Sequence, residues 1–168
     1  MKLNYFAFGS NLSSARLLQR LPTAEVHCVA TLAGHRLCWR KNGRDQSGKC
    51  DIHQTGNDDD LVYGVVYRVS AEDRLRLDEI ETHGFGYERR EVAVRTPAGG
   101  HLDVFTYYAL DIDHTQQPYK WYKEHVLRGA LEHGLPPHYV EFIRATPSID
   151  DHDEERHLRE LAIYLESL

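Results

Sequence analysis

The sequence predicts an α+β fold, a mixed β-barrel surrounded by helices. Three observations carry that expectation. The chain runs strand, helix, several strands, helix, strands, helices, which is neither a repeating βαβ alternation nor an all-β pattern. Its strand-like segments are rich in Val, Leu and Tyr and end in glycine-containing turns, whereas its helix-like segments open on capping residues. At 168 residues it can bury one core without staples, and no linker or internal repeat divides it.

The elements follow in order. Residues 1–8 read as a buried strand in which Leu3, Tyr5 and Ala7 alternate with Asn4, Phe6 and Phe8. The run stops abruptly at Gly9-Ser10-Asn11. Ser13 suits a helix N-cap ahead of Leu17, Leu18 and Leu21, and Pro22 stops that helix. Residues 24–40 read as two strands joined near Ala33-Gly34. Residues 41–60 are polar and glycine-bearing, so a long loop is expected, with one short strand near residues 50–54. Its run Asp58-Asp59-Asp60 lacks the spaced ligands of a calcium loop and reads as a solvated turn. Residues 61–69 form a strong strand. Ser70 then caps a helix carrying Leu75, Leu77 and Ile80, with Glu72 and Asp73 at the positive end of its dipole. Gly84 and Gly86 close that segment. Residues 87–95 and 102–109 make a hairpin across Pro97-Ala98-Gly99-Gly100. Pro118 opens a helix through His133 that Gly134 ends, and residues 137–145 form a shorter one. Residues 1–150 thus make one domain. Residues 151–168 are acidic and then amphipathic, with a stripe of Leu158, Leu161, Leu165 and Leu168 that packs on the same domain or on a partner copy.

Bulk properties exclude several classes. A formal net charge of -6 argues against nucleic-acid binding. No run reaches a membrane-spanning length and no signal peptide opens the chain, so a cytoplasmic protein without a membrane partner is expected. Cys28, Cys38 and Cys50 match neither a disulfide framework nor a zinc signature and read as free thiols. No histidine spacing forms a ligand pair, so no metal is expected.

Two stretches could carry chemistry. At Tyr5-Phe6-Ala7-Phe8-Gly9-Ser10-Asn11-Leu12 a strand feeds a tight turn. Gly9 lets the backbone approach a ligand, and Ser10 and Asn11 add a hydroxyl and an amide. At Leu77-Asp78-Glu79-Ile80-Glu81 three carboxylates crowd a helix C-terminus, where the dipole is negative and proton affinity rises. Glu81, next to the glycine-containing turn, is the best placed to reach a pocket. The alternative is a solvated acidic helix end paired with Arg89 or Arg90, either of which could instead attract a substrate carboxylate.

With the Gly86-Tyr87 strand start and with His133-Gly134-Leu135-Pro136, Tyr139, Ile143 and Pro147 in order behind them, these stretches resemble the γ-glutamylcyclotransferase family over residues 3 to about 150. The resemblance implies a small mixed barrel with helices around it and an enzyme without a cofactor. It implies release of an amino acid or amine from a small-molecule γ-glutamyl substrate, with the glutamyl part closing into 5-oxoproline. By motif position Glu81 is the general acid and base. Phe8, Gly9, Ser10, Asn11 and Leu12 hold the γ-glutamyl group, and Tyr87 and Tyr119 are pocket tyrosines. The turn looks closest to the γ-glutamyl-amino-acid branch. Two positions depart from the pattern: Phe8 stands where the family usually has Tyr, and Thr82 where many relatives have Gly. The same residues also suit removal of a γ-glutamyl group from a pathway-specific amine, or a non-catalytic binding module of the same fold. A monomer and a homodimer are both compatible with the chain.

Overall fold

The computed structural model describes residues 1–165; Leu168 of the C-terminal stripe lies outside the described residues. Its centre is a closed five-stranded barrel in the order β1-β5-β2-β6-β7. Strand β1 (Leu3–Ala7) pairs antiparallel with β5 (Leu61–Val69), with Tyr5 opposite Tyr67. On its other edge it meets β7 (His101–Ala109) in parallel at Phe105, and that single parallel seam closes the barrel. Strand β2 (Glu25–Ala33) joins β5 to β6 (Tyr87–Arg95), and β6 forms the expected hairpin with β7. The barrel is mixed, as the sequence predicts.

The middle of strand β5, residues 64–67, is buried on both faces, and its side chains there are apolar or aromatic. Val62, Val65, Val66 and Val69 are fully buried, and the Tyr67 hydroxyl donates to the Leu12 carbonyl at 3.1 Å on the helical side. Outside the barrel lie α1 (Ser14–Arg20), α2 (Ala71–Ile80), α3 (Lys120–Glu132), α4 (Pro137–Ala145) and α5 (Glu154–Leu161). Both predicted serine caps are present. Ser13 accepts from Arg16 N, and Ser70 forms a reciprocal box with Asp73. Among the described residues no helix is long and apolar enough to cross a membrane.

Two expectations need correction. Residues 41–60 are not a long loop: β3 (His35–Asn42) and β4 (Gly48–Gln54) form a second, two-stranded sheet beside the barrel, with Leu37, Cys50 and Ile52 in the shared core. Of the glycines that suggested a loop, Gly43, Gly48 and Gly56, Gly48 is there because a Cβ would collide with the Trp39 carbonyl across the hairpin. The helix expected from Pro118 begins at Lys120, because the flanking backbone is committed elsewhere. Ile149 N donates to Pro118 O at 3.0 Å and Lys120 N donates to Ile149 O at 2.9 Å. Within the C-terminal segment, Glu160 of α5 accepts from Arg16 of α1 at 2.7 Å and lies 3.4 Å from His125 of α3.

Candidate active site

A cavity of about 180 Å³ opens where the end of β1, the end of α2 and the β3–β4 hairpin converge. Drug-sized ligand pockets run from roughly 300 to 1,000 Å³, so this one suits a small acyl group. Phe8, Gly9, Ser10, Asn11, Glu81 and Tyr87 line it, residues far apart in the chain that the barrel brings together. Leu12 and Tyr119 do not. Leu12 is fully buried under α3, where a Cβ on Gly129 would strike it. The Tyr119 hydroxyl instead donates to the Asp45 carbonyl at 2.7 Å, and the ring that α3 does present to the cavity is Tyr122. Arg89 and Arg90 are also elsewhere. Arg89 pairs with Asp78, and Arg90 pairs with Glu88 and stacks on Tyr108.

Strand β1 ends in one 3-10 turn, Ser10–Leu12. Leu12 N and Ser13 N close it on the carbonyls of Gly9 and Ser10, at 3.0 and 3.2 Å. Among the described residues the amides of Gly9, Ser10 and Asn11 donate to nothing, which is the arrangement that leaves N–H groups for a ligand. Gly9 is required for room. A Cβ there would stand 3.0 Å from Cys50 Cβ and 3.3 Å from the Tyr122 hydroxyl. That wall is itself fixed, because Cys50 N donates to Tyr122 Oη at 2.9 Å and Tyr87 Oη donates to Cys50 O at 2.7 Å.

Glu81 is the C-cap of α2. The three carboxylates of this helix end have separate fates. Asp78 is bound by Arg89 and by the Tyr107 hydroxyl at 2.7 Å, Glu79 is exposed, and Glu81 faces the cavity. Among the described residues no hydrogen bond or ion pair reaches the Glu81 carboxylate. Burial pushes its pKa up, although Arg20, Lys41 and Arg16 pull in the other direction. The next residue, Thr82, has φ +48, in the left-handed region where glycine is the easier occupant. Its hydroxyl accepts from Gly86 N at 3.1 Å, a local bond that holds the turn after Glu81.

Five cations also line the cavity, Arg16, Arg20, Lys41, Arg44 and Lys49, of which Arg20, Lys41 and Arg16 act on the Glu81 charge. Arg16 is paired with Glu160 and Lys49 with Asp45; Arg20, Lys41 and Arg44 have no carboxylate partner among the described residues. Lys41 stands 5.3 Å above the Tyr87 ring. The sequence carries no site signal for Lys41, Arg44 or Tyr107, and it places Tyr5 in the first strand and Tyr122 among core or rim residues. One signal was available: Arg16 and Arg20 are four apart, hence on one helix face, directly behind the turn.

The AIG2-like family model matches residues 61–143. The γ-glutamylcyclotransferases of Mus musculus and Homo sapiens are each 33% identical to this chain over 147 residues, which span 84% of it and 77% of each relative. A solved structure of a γ-glutamyl cyclotransferase superposes with a TM-score of 0.83 at 28% identity, covering 95% of this chain and 99% of the other. With this identity along most of both chains and the same barrel, the chain is an enzyme of the γ-glutamylcyclotransferase family.

Proposed function

We propose that the enzyme cyclises the γ-glutamyl group of a small substrate to 5-oxoproline, releases an amino acid, and uses Glu81 as its single acid and base. The observation that carries this reading is the unpaired Glu81 carboxylate, facing a cavity across from the undonated amides of Gly9, Ser10 and Asn11. The substrate's own α-amine is the nucleophile, but at neutral pH it is an ammonium. Glu81, with its raised proton affinity, takes one proton. The freed amine attacks the γ-carbonyl carbon, and the carbonyl oxygen takes the negative charge. The turn's N–H groups are suited to bind that oxygen. As the amide C–N bond breaks, Glu81 returns its proton to the departing nitrogen. The new ring nitrogen sheds its surplus proton and the released amine gains its second, so charge is conserved. The attack is intramolecular, so holding the glutamyl chain bent supplies much of the acceleration. Phe8 and Tyr87 wall the group in; Leu12 acts by closing the turn on the Gly9 carbonyl, and Tyr119, outside the cavity lining, supports the hairpin through the Asp45 carbonyl.

The finer reading, an amino acid as leaving group, is supported by Lys41 and Arg44. Two cations at the hairpin side of the cavity, without carboxylate partners among the described residues, favour a departing group that carries a carboxylate over a plain amine. The test is a product assay with γ-glutamyl dipeptides and γ-glutamyl amines side by side. Dipeptides are expected to yield 5-oxoproline faster. Glu81→Gln should lower kcat by about 10²- to 10⁴-fold, while Glu79→Gln leaves it unchanged. Equal turnover in Glu81→Gln overturns the assignment. Ligand-induced stabilisation without product points to a binding module instead.

A further inference from the structure

In the cavity wall, two arginines each head a hydrogen-bond chain that ends at a hydroxyl group, Arg16 directly at Ser10 and Arg20 through Asn11 at Tyr5. Arg16 Nε donates to Ser10 Oγ at 3.1 Å. An arginine has no acceptor, so one lone pair of that oxygen is occupied and the Ser10 O–H must point elsewhere. Arg20 Nη1 donates to Asn11 Oδ1 at 3.1 Å, which fixes the orientation of the Asn11 amide. Its Nδ2 then donates to Tyr5 Oη at 3.0 Å. Tyr5 thus accepts, and its own O–H is left over. Among the described residues neither the Ser10 nor the Tyr5 O–H finds an acceptor, and both residues line the cavity. Both are buried, at 8% and 4% exposure, so an unused O–H there is costly unless a ligand takes it.

Arg16 is in turn held from the C-terminal helix. Its Nη1 donates to Glu160 Oε2 at 2.7 Å and lies 3.2 Å from Nε2 of the buried His125. We infer that Tyr5 and Ser10 are obligate hydrogen-bond donors to the substrate's oxygen atoms, and that Arg16, Arg20 and Glu160 are positioning residues that set this polarity. Tyr5 is thereby a further substrate-contacting residue. Glu160, on the far end of the chain, acts on the site through two intervening side chains. The inference rests on the cyclisation reading above and adds to it which groups bind the acyl oxygen and carboxylate.

The experiment measures kcat/KM against pH with a γ-glutamyl dipeptide for the full chain and for Tyr5→Phe, Ser10→Ala, Glu160→Ala, Glu160→Gln and Ser10→Ala/Glu160→Ala. Loss of one donor to a charged oxygen should lower kcat/KM by about 10- to 100-fold in Tyr5→Phe and in Ser10→Ala. If Glu160 acts through Ser10, the double variant is no worse than Ser10→Ala alone; multiplied losses overturn the relay. Glu160→Gln keeps an acceptor for Arg16, so it should retain more activity than Glu160→Ala. It also leaves the Arg16 charge unbalanced near Glu81, so the acid limb of its profile should move to lower pH, a shift that a purely structural role does not produce. An unmoved limb overturns the positioning role. Wild-type kcat/KM in both Tyr5→Phe and Ser10→Ala, in an enzyme that still needs Glu81, overturns this inference alone. An inactive wild-type chain overturns the cyclisation reading and this inference with it.

Discussion

Glu81 illustrates how one residue's position costs stability and supplies reactivity. Its carboxyl is half-buried in the cavity wall with no hydrogen-bond partner among the described residues, so the protonated form is favoured and the folded-state pKa lies above the ordinary 4.5. The sign for stability follows. The folded protein holds this proton more tightly than the unfolded chain. The group therefore contributes its full stability below pH 4.5, and that contribution is lost as pH rises through the raised folded value. Glu81→Gln, which cannot ionise, should raise Tm at pH 7 and leave it little changed at pH 4. Calorimetry at the two pH values checks this, and an equal change at both would mean that ionisation of Glu81 carries no such cost. Activity runs the opposite way: kcat/KM should fall as pH drops through the same raised value, because the base is then already protonated.

The site depends on how closely α3 approaches the turn after β1. Gly129 makes that approach possible, since a Cβ there would run into the Leu12 backbone and side chain and the Ser13 amide. Gly129→Ala would gain about 1 kcal/mol of helix propensity. The collision is with backbone that cannot rotate away, and overpacking of this kind costs about 1–3 kcal/mol. The expected net result is a lower Tm and, because the turn must shift, a kcat/KM reduced at least tenfold; Leu131→Ala on an exposed part of the same helix is the control. Local patterns made most elements legible: the apolar run of β1, the serine caps of α1 and α2, and the glycine after α3. They also marked Glu81 and the amides of Gly9 to Asn11 as candidates, but spacing left Glu81 open to a solvated helix end, and the family resemblance was what favoured it. What stayed hidden was assembled at long range. Lys41 and Arg44 look like loop charges until the β3–β4 hairpin folds over the cavity. Arg16 and Arg20 look like a solvated helix face until the turn they follow curls back onto them. Tyr119 and Tyr122 are separated by less than one helical turn, and spacing alone does not say which of them faces the ligand.

Helices from both ends of the described residues meet at His125. This ring is fully buried on α3 and meets Arg16 of α1, Glu160 of α5 and, at 2.5 Å, the Tyr164 hydroxyl, which donates onward to Ser13 at 2.9 Å. The first and last helices and the turn between β1 and α1 thus share one junction. Burial lowers the His125 pKa from 6.5 to about 4, with Arg16 and Arg20 adding to the effect against the pull of Glu160. A folded-state value below the unfolded one means that the stability is fully present above pH 6.5 and is lost as pH falls through about 4. The loss is roughly 3 kcal/mol, a large share of the roughly 5–15 kcal/mol that holds a domain together. For a chain of this size it corresponds to a fall in Tm of roughly 10 °C. His125→Gln keeps an acceptor for Arg16 but cannot titrate. It should be less stable than the wild type at pH 7, yet its Tm should decline less between pH 6.5 and pH 4. Scanning calorimetry across that interval checks the slope; parallel curves for the two proteins would show that protonation of this junction does not control acid stability.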